Sequence, residues 1–182
     1  MKQKYYLGID LGGTKIISGV TNKKGKLLSN PVKVSTLADE PPEYIINRMI
    51  ESVELTLKNA NLTIDSISCI GIGSPGPLDI ENGVILNTPN LPTLNNYPVR
   101  DKIEDILKVK VLINNDANCF VLGESLFGAG KNSQIVFGVT LGTGFGSGIV
   151  INKRIFNGAT GTASEIWRCP FRKSIMENYV SA

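Results

Sequence analysis

These 182 residues contain no histidine. Any mechanism that relies on an imidazole base or an imidazole metal ligand is therefore excluded. Cysteine is scarce too. Cys69, Cys119 and Cys169 stand far apart, a spacing unlike a disulfide framework or a zinc knuckle, so no zinc site is expected. No apolar run reaches the roughly 18 residues that span a bilayer. The opening Met1-Lys2-Gln3-Lys4-Tyr5-Tyr6 lacks the apolar stretch and cleavage site of a signal peptide. The expectation is a cytoplasmic protein with no membrane partner. The net charge of +3 is spread without a basic block, which argues against nucleic acid as the main partner.

What the chain does have is apolar material for a core, at 42% of residues, and 19 glycines, many gathered at two points. Short apolar runs at 5–10, 15–21 and 26–34 read as strands. Pro41-Pro42 opens a helical pattern with Ile45, Ile46, Met49, Val53 and Leu57 on one face, predicting a helix over about 42–60. A buried strand is expected at 67–72, a loop with a short extended piece at 84–86 within 78–97, and a helix at 99–107. A strand at 109–113 follows. Asn114-Asn115-Asp116 then supplies polar caps for a helix to about 127. Strands are expected again at 135–141, 146–151 and 154–156. The order over 1–127 is β-β-β-α-β-α-β-α, an α/β layer architecture. Residues 128–182 restart the pattern. The segments 8–20 and 138–150 align with Gly8/Gly138, Leu11/Leu141, Gly12/Gly142 and Val20/Val150 identical. The expectation is one α/β lobe followed by the start of a second, related lobe.

The first chemistry-bearing segment is Asp10-Leu11-Gly12-Gly13-Thr14-Lys15. It joins two strands, whereas Walker loops and dinucleotide fingerprints open a helix. Glycines let backbone N–H groups approach phosphate oxygens. Thr14 adds a hydroxyl and Lys15 a cation, and Asp10 can hold magnesium directly or through water. A plain hairpin is the competing reading. The run Leu141-Gly142-Thr143-Gly144-Phe145-Gly146-Ser147-Gly148 is a second cradle for a polyphosphate or a bulged hairpin. Asp116, at a strand end beside a helix N-terminus, is either a helix cap or a base for a substrate hydroxyl proton, worth about 10²–10⁴ in rate. The loops Gly73-Ser74-Pro75-Gly76 and Asn87-Thr88-Pro89-Asn90 follow strands, where open α/β sheets bind ligands. Taken singly, each is an ordinary turn. Isolated glutamates such as Glu165 and Glu177 are ordinarily surface residues.

Together and in order, these segments resemble the ROK family of sugar kinases and repressors. Asp10-Leu11-Gly12-Gly13-Thr14-Lys15 is similar to the family's first phosphate motif, and Leu141 to Gly148 to its second. Asn115-Asp116-Ala117-Asn118 is similar to the segment that holds the catalytic aspartate. The resemblance implies an actin-like ATPase (ribonuclease H-like) lobe, ATP with magnesium, and Asp116 as general base. It implies nucleotide contacts from Gly12, Gly13, Thr14, Lys15, Gly142, Thr143 and Gly144. Sugar contacts would come from Gly76, Asn90, Asn115, Glu165 and Glu177. Where the family reads Ala-Gly-Glu-Ile-Gly-His, this chain has Ala163-Ser164-Glu165-Ile166-Trp167-Arg168. Arg168 thus takes the place of a sugar- and zinc-contacting histidine, and a zinc-less branch is implied. Family members continue through adenosine-binding helices that these residues do not include. Three classes follow: a sugar kinase, a sugar-binding remnant without turnover, or a sugar-responsive regulator. A homo-oligomer is expected.

Overall fold

The structure, a computed structural model, describes residues 4–142 and 144–166. Two compact units divide at Asp116 and Ala117. The expected division at 127/128 differs from this one by residues 117–127, which fall in the second unit.

The first unit is built on a five-stranded sheet of order β3-β2-β1-β4-β7. Strands β1 (Tyr5–Leu11), β2 (Lys15–Thr21) and β3 (Val32–Ser35) run antiparallel in sequence, and β4 (Ile67–Ser74) and β7 (Val111–Asn115) are parallel to β1. The short strands β5 (Leu78–Asp79) and β6 (Val84–Ile85) form a separate pair. Helix α1 (Pro42–Asn59) has proline in its first turn, where the missing N–H costs nothing. All five residues of the expected apolar face are buried, together with Ser52 and Thr56. Periodicity gave no reason for two hydroxyls in that stripe. The structure does: Ser18 Oγ on β2 donates to the Ser52 carbonyl at 2.8 Å and lies 2.6 Å from Thr56 Oγ1. All three residues have no accessible surface, so the pairing satisfies groups that burial would otherwise penalise. The core around them includes Leu7, Leu11, Ile16, Met49, Ile70 and Ile72. Helix α2 (Val99–Leu107) buries Val99 and Ile103 and ends at Lys108 in the left-handed region.

Two expected boundaries moved. The third strand, read over 26–34, begins only at Val32, with one isolated bridge between Thr21 and Leu27 before it. Pro31 cannot donate to a ladder, and Asn22 Oδ1 accepts from the Lys24 and Lys26 amides, holding that stretch as a turn. The strand read over 109–113 runs instead through Asn115, because its residues pair in parallel with β4 as far as Ser74. Asn114 and Asn115 therefore end a strand, and helix α3 (Asp116–Phe127) starts at Asp116.

In the second unit α3 is followed by a three-stranded antiparallel sheet of order β10-β9-β8: β8 (Ile135–Leu141), β9 (Phe145–Ile151) and β10 (Arg154–Ile155). A Cβ on Gly138 or Gly148 would run into Val121 of α3, and one on Gly146 would stand 3.0 Å from Ala117 Cβ. These glycines let helix and hairpin approach closely. Asn152 and Lys153, both with positive φ, form the β9–β10 turn. The Lys153 ammonium is surrounded by carbonyls, donating to Ser125 at 2.7 Å, Lys131 at 2.8 Å, Ser133 at 3.1 Å and Gly130 at 3.2 Å. It closes the end of α3 and the loop after it. Lys153→Met is expected to destabilise the protein by about 1.5–3 kcal/mol, the worth of a charged hydrogen bond, read as a lower urea midpoint. An unchanged midpoint would show that the carbonyls are as well satisfied by water.

Candidate active site

Because β1, β4 and β7 are parallel, their C-terminal ends lie along one edge of the first sheet, the edge where such sheets bind ligands. Asp10 stands near the end of β1, opposite Gly73 of β4. Ser74 ends β4 opposite Asn115. Asp116 is the next residue and the first of α3. Gly76 follows β4 closely, and a Cβ on it would stand 3.6 Å from the Asn115 amide nitrogen. Four predicted residues, Asp10, Gly76, Asn115 and Asp116, thus come from three separate segments of the chain to one edge.

The electrostatics of that edge are uneven. The Asp10 carboxyl is held above its ordinary pKa, first by burial, then by the charge of Asp116, against an opposing effect from Lys15. Asp10 reaches solvent, but the protein around it withholds part of its hydration. Two carboxylates that repel each other beside the β1–β2 turn suit a divalent cation, which would offset the repulsion on Asp10. The oxygen-only donors fit magnesium.

The turn joining β1 to β2 is held from two sides. The Gly12 amide donates to the Lys15 carbonyl at 3.0 Å. Thr36, just after β3, donates from Oγ1 to the Gly12 carbonyl at 2.6 Å and from its amide to the Thr14 carbonyl at 3.1 Å. In a trans peptide the N–H points opposite the C=O. Drawing the Gly12 carbonyl toward Thr36 therefore turns the Gly13 N–H away from it. Thr36 is completely buried. Sequence reasoning missed it, and no periodicity marks it. The Thr14 and Lys15 side chains are exposed at the turn. Asn90 is brought to this turn from the loop after β6: a Cβ on Gly13 would stand 2.5 Å from the Asn90 carbonyl oxygen and 3.1 Å from its Cβ.

In the second unit, the turn between β8 and β9 is closed by the Gly142 amide donating to the Gly144 carbonyl at 3.0 Å. A Cβ on Gly142 would meet nothing within 4 Å, so this position is open to a ligand. Gly148, in the same glycine run, instead admits α3, and Gly146 gives room to Thr140 of β8 and Ala117 of α3. Glu165 is half-buried in the segment after β10. Its neighbour Ser164 donates to the Ser147 carbonyl at 2.7 Å, and Ser147 Oγ donates back to the Ser164 carbonyl. That reciprocal pair gives the serine at 164 a structural role in seating Glu165. Thr143, Arg168 and Glu177 lie outside the described residues. Among the described residues, no three or more Cys, Asp or Glu side chains gather as a metal cluster.

Residues 6–172 match the ROK family. The chain belongs to the ROK family. Glucokinase from Thermotoga maritima is 37% identical over 160 residues, covering 88% of this chain and 49% of that protein. N-acetyl-D-glucosamine kinase from Vibrio cholerae is 34% identical over 161 residues, covering 88% and 51%. A ROK family glucokinase from Streptomyces griseus, solved in complex with glucose and AMPPNP, superposes with a TM-score of 0.77 at 34% identity, covering 89% of this chain and 49% of that one. The chain spans about half the length of the curated relatives it matches. Its fold is that of the ROK actin-like ATPases, as the motif order implied. No described helix is long and apolar enough to cross a membrane.

The charge pattern of this ROK site is directly testable. The Asp10 carboxyl should titrate above the ordinary aspartate value. Removing the Asp116 charge with Asp116→Asn should lower that pKa, and Lys15→Met should raise it further. Carboxyl carbon NMR reads each shift. A carboxyl whose folded pKa is raised binds more protons folded than unfolded. Stability should therefore fall as pH rises from the ordinary aspartate value through the raised one. An Asp10 titration unmoved by Asp116→Asn would mean that the two carboxylates do not sense each other.

Proposed function

We propose that this chain carries the phosphate-gripping and sugar-binding residues of an ATP-dependent sugar kinase, with a hexose or N-acetylhexosamine hydroxyl, O6, as acceptor. The observation that carries the reading is the meeting of Asp10, Gly12–Lys15, Gly76, Asn115 and Asp116 at the C-terminal edge of one parallel set of strands. The glucokinase and N-acetyl-D-glucosamine kinase relatives support the substrate class, and the AMPPNP complex of the Streptomyces griseus protein supports ATP as donor.

In this reading Asp116 accepts the sugar hydroxyl proton as that oxygen attacks the γ-phosphorus. The bond from γ-phosphorus to the bridging oxygen breaks, and ADP leaves. Thr14, Lys15 and the N–H groups of the Gly12–Lys15 turn hold phosphate oxygens, with Gly142, Thr143 and Gly144 as further contacts. Asp10 would hold magnesium, directly or through water, and that ion would offset the charge on the phosphates. Phosphoryl transfer asks mainly for positioning and charge stabilisation, and these groups provide both. Gly76, Asn90 and Asn115, then Glu165, Arg168 and Glu177, are assigned to the sugar. Work on a free sugar in the cytoplasm and self-association of the protein belong to the same reading.

The test uses a protein of the relatives' full length that carries these residues, assayed by coupled ADP release with glucose and with N-acetylglucosamine. Asp116→Asn should lower turnover by at least about a hundredfold with sugar affinity kept. Unchanged turnover would remove Asp116 as the base. Sugar binding without ADP release in the unaltered protein would favour the non-catalytic alternative.

A further inference from the structure

The sugar loop rests on the phosphate turn. Asn90 lies in the loop after β6, and Gly13 at the centre of the β1–β2 turn. Any side chain at Gly13 would meet the Asn90 carbonyl oxygen at 2.5 Å, its Cβ at 3.1 Å and its carbonyl carbon at 3.3 Å. No φ in the left-handed region is recorded for Gly13, so backbone conformation alone does not demand glycine there. The close approach of the Asn90 backbone does. Gly12 differs: its Cβ would meet only the Lys15 carbonyl of its own turn, at 3.1 Å.

The loop is also held from its own side: the Leu94 amide donates to the Leu91 carbonyl at 3.0 Å, Thr93 Oγ1 donates to the Ala38 carbonyl at 3.1 Å, and Leu94 is buried in the core. The Leu91 amide donates to the Thr88 carbonyl at 3.2 Å, and Leu91 and Thr88 are buried. The Thr88 hydroxyl finds no hydrogen-bond partner. The turn itself is rigidly held by Thr36. With the loop seated on the core and the turn pinned from behind by Thr36, the contact of the Asn90 backbone with Gly13 leaves neither segment free to shift there without the other.

We propose that Gly13 is a positioning residue that registers the sugar loop 87–91 on the phosphate turn, so that occupancy of the turn and sugar binding at Asn90 are energetically coupled. The inference rests on the phosphate and sugar assignments made above. Coupling of this kind is reciprocal: whatever the nucleotide does to sugar affinity, the sugar does to nucleotide affinity.

The experiment measures glucose binding by calorimetry, with and without MgAMPPNP, and follows the amides of residues 12–15 and 87–91 by NMR. In the unaltered protein, MgAMPPNP should move the amides of both segments and tighten glucose binding by about fivefold or more. Gly13→Ala should shift the loop amides without any ligand, weaken glucose about tenfold even without nucleotide, and bring the coupling close to unity. Gly12→Ala is the contrast: it should weaken MgAMPPNP while the ligand-free loop amides and the glucose Kd stay in place. A Gly13→Ala protein with unmoved loop amides and unchanged glucose binding overturns the proposal while leaving the phosphate assignment standing. MgAMPPNP that leaves the amides of 12–15 unmoved in the unaltered protein overturns the phosphate assignment and the proposal with it.

Discussion

Parallel hydrogen bonding among β1, β4 and β7 is the constraint on which the rest of the site depends. Three strands running the same way must end on the same side, and the register sets how far each reaches. Asp10 opposite Gly73, and Ser74 opposite Asn115, are consequences of that register. A shift of one residue in either ladder would turn each side chain of the shifted strand to the other face of the sheet. The separation of Asp10 and Asp116 is therefore set by backbone pairing, and their mutual repulsion follows from it.

Glycine serves two purposes in this chain, and the two glycine-rich segments mix them. At Gly142 the space beyond the backbone is open, which suits the approach of a ligand. At Gly138 and Gly148 the space is filled by α3, and at Gly146 by Thr140 of β8 and Ala117 of α3, and glycine is needed for packing. Gly13 belongs with the second group, since the Asn90 backbone fills the place of its side chain. A count of glycines in a motif cannot separate these cases, because the distinguishing neighbour comes from elsewhere in the chain.

Hydroxyl groups do the fine positioning. Thr36 orients two carbonyls of the β1–β2 turn, Ser18 ties the sheet to α1, and the Ser147–Ser164 pair seats the segment that carries Glu165. Each group is buried, where an unpaired hydroxyl would be costly and a paired one selects a single arrangement.

Much of this was legible in the sequence. The apolar stripe of α1, the strand-turn-strand setting of both glycine runs, and the motif order that marks the family all rest on local periodicity and spacing. Strand ends were less legible. Pro31 and the Asn22 turn shortened the third strand, and pairing with β4 carried β7 through Asn115, although its asparagines read locally as helix caps. Thr36 and the seat of Asn90 on Gly13 left no local trace at all. Residue type and spacing determined which groups could do the chemistry. Only the tertiary structure decided which of them meet, because strand register and close backbone approach depend on partners distant in the chain.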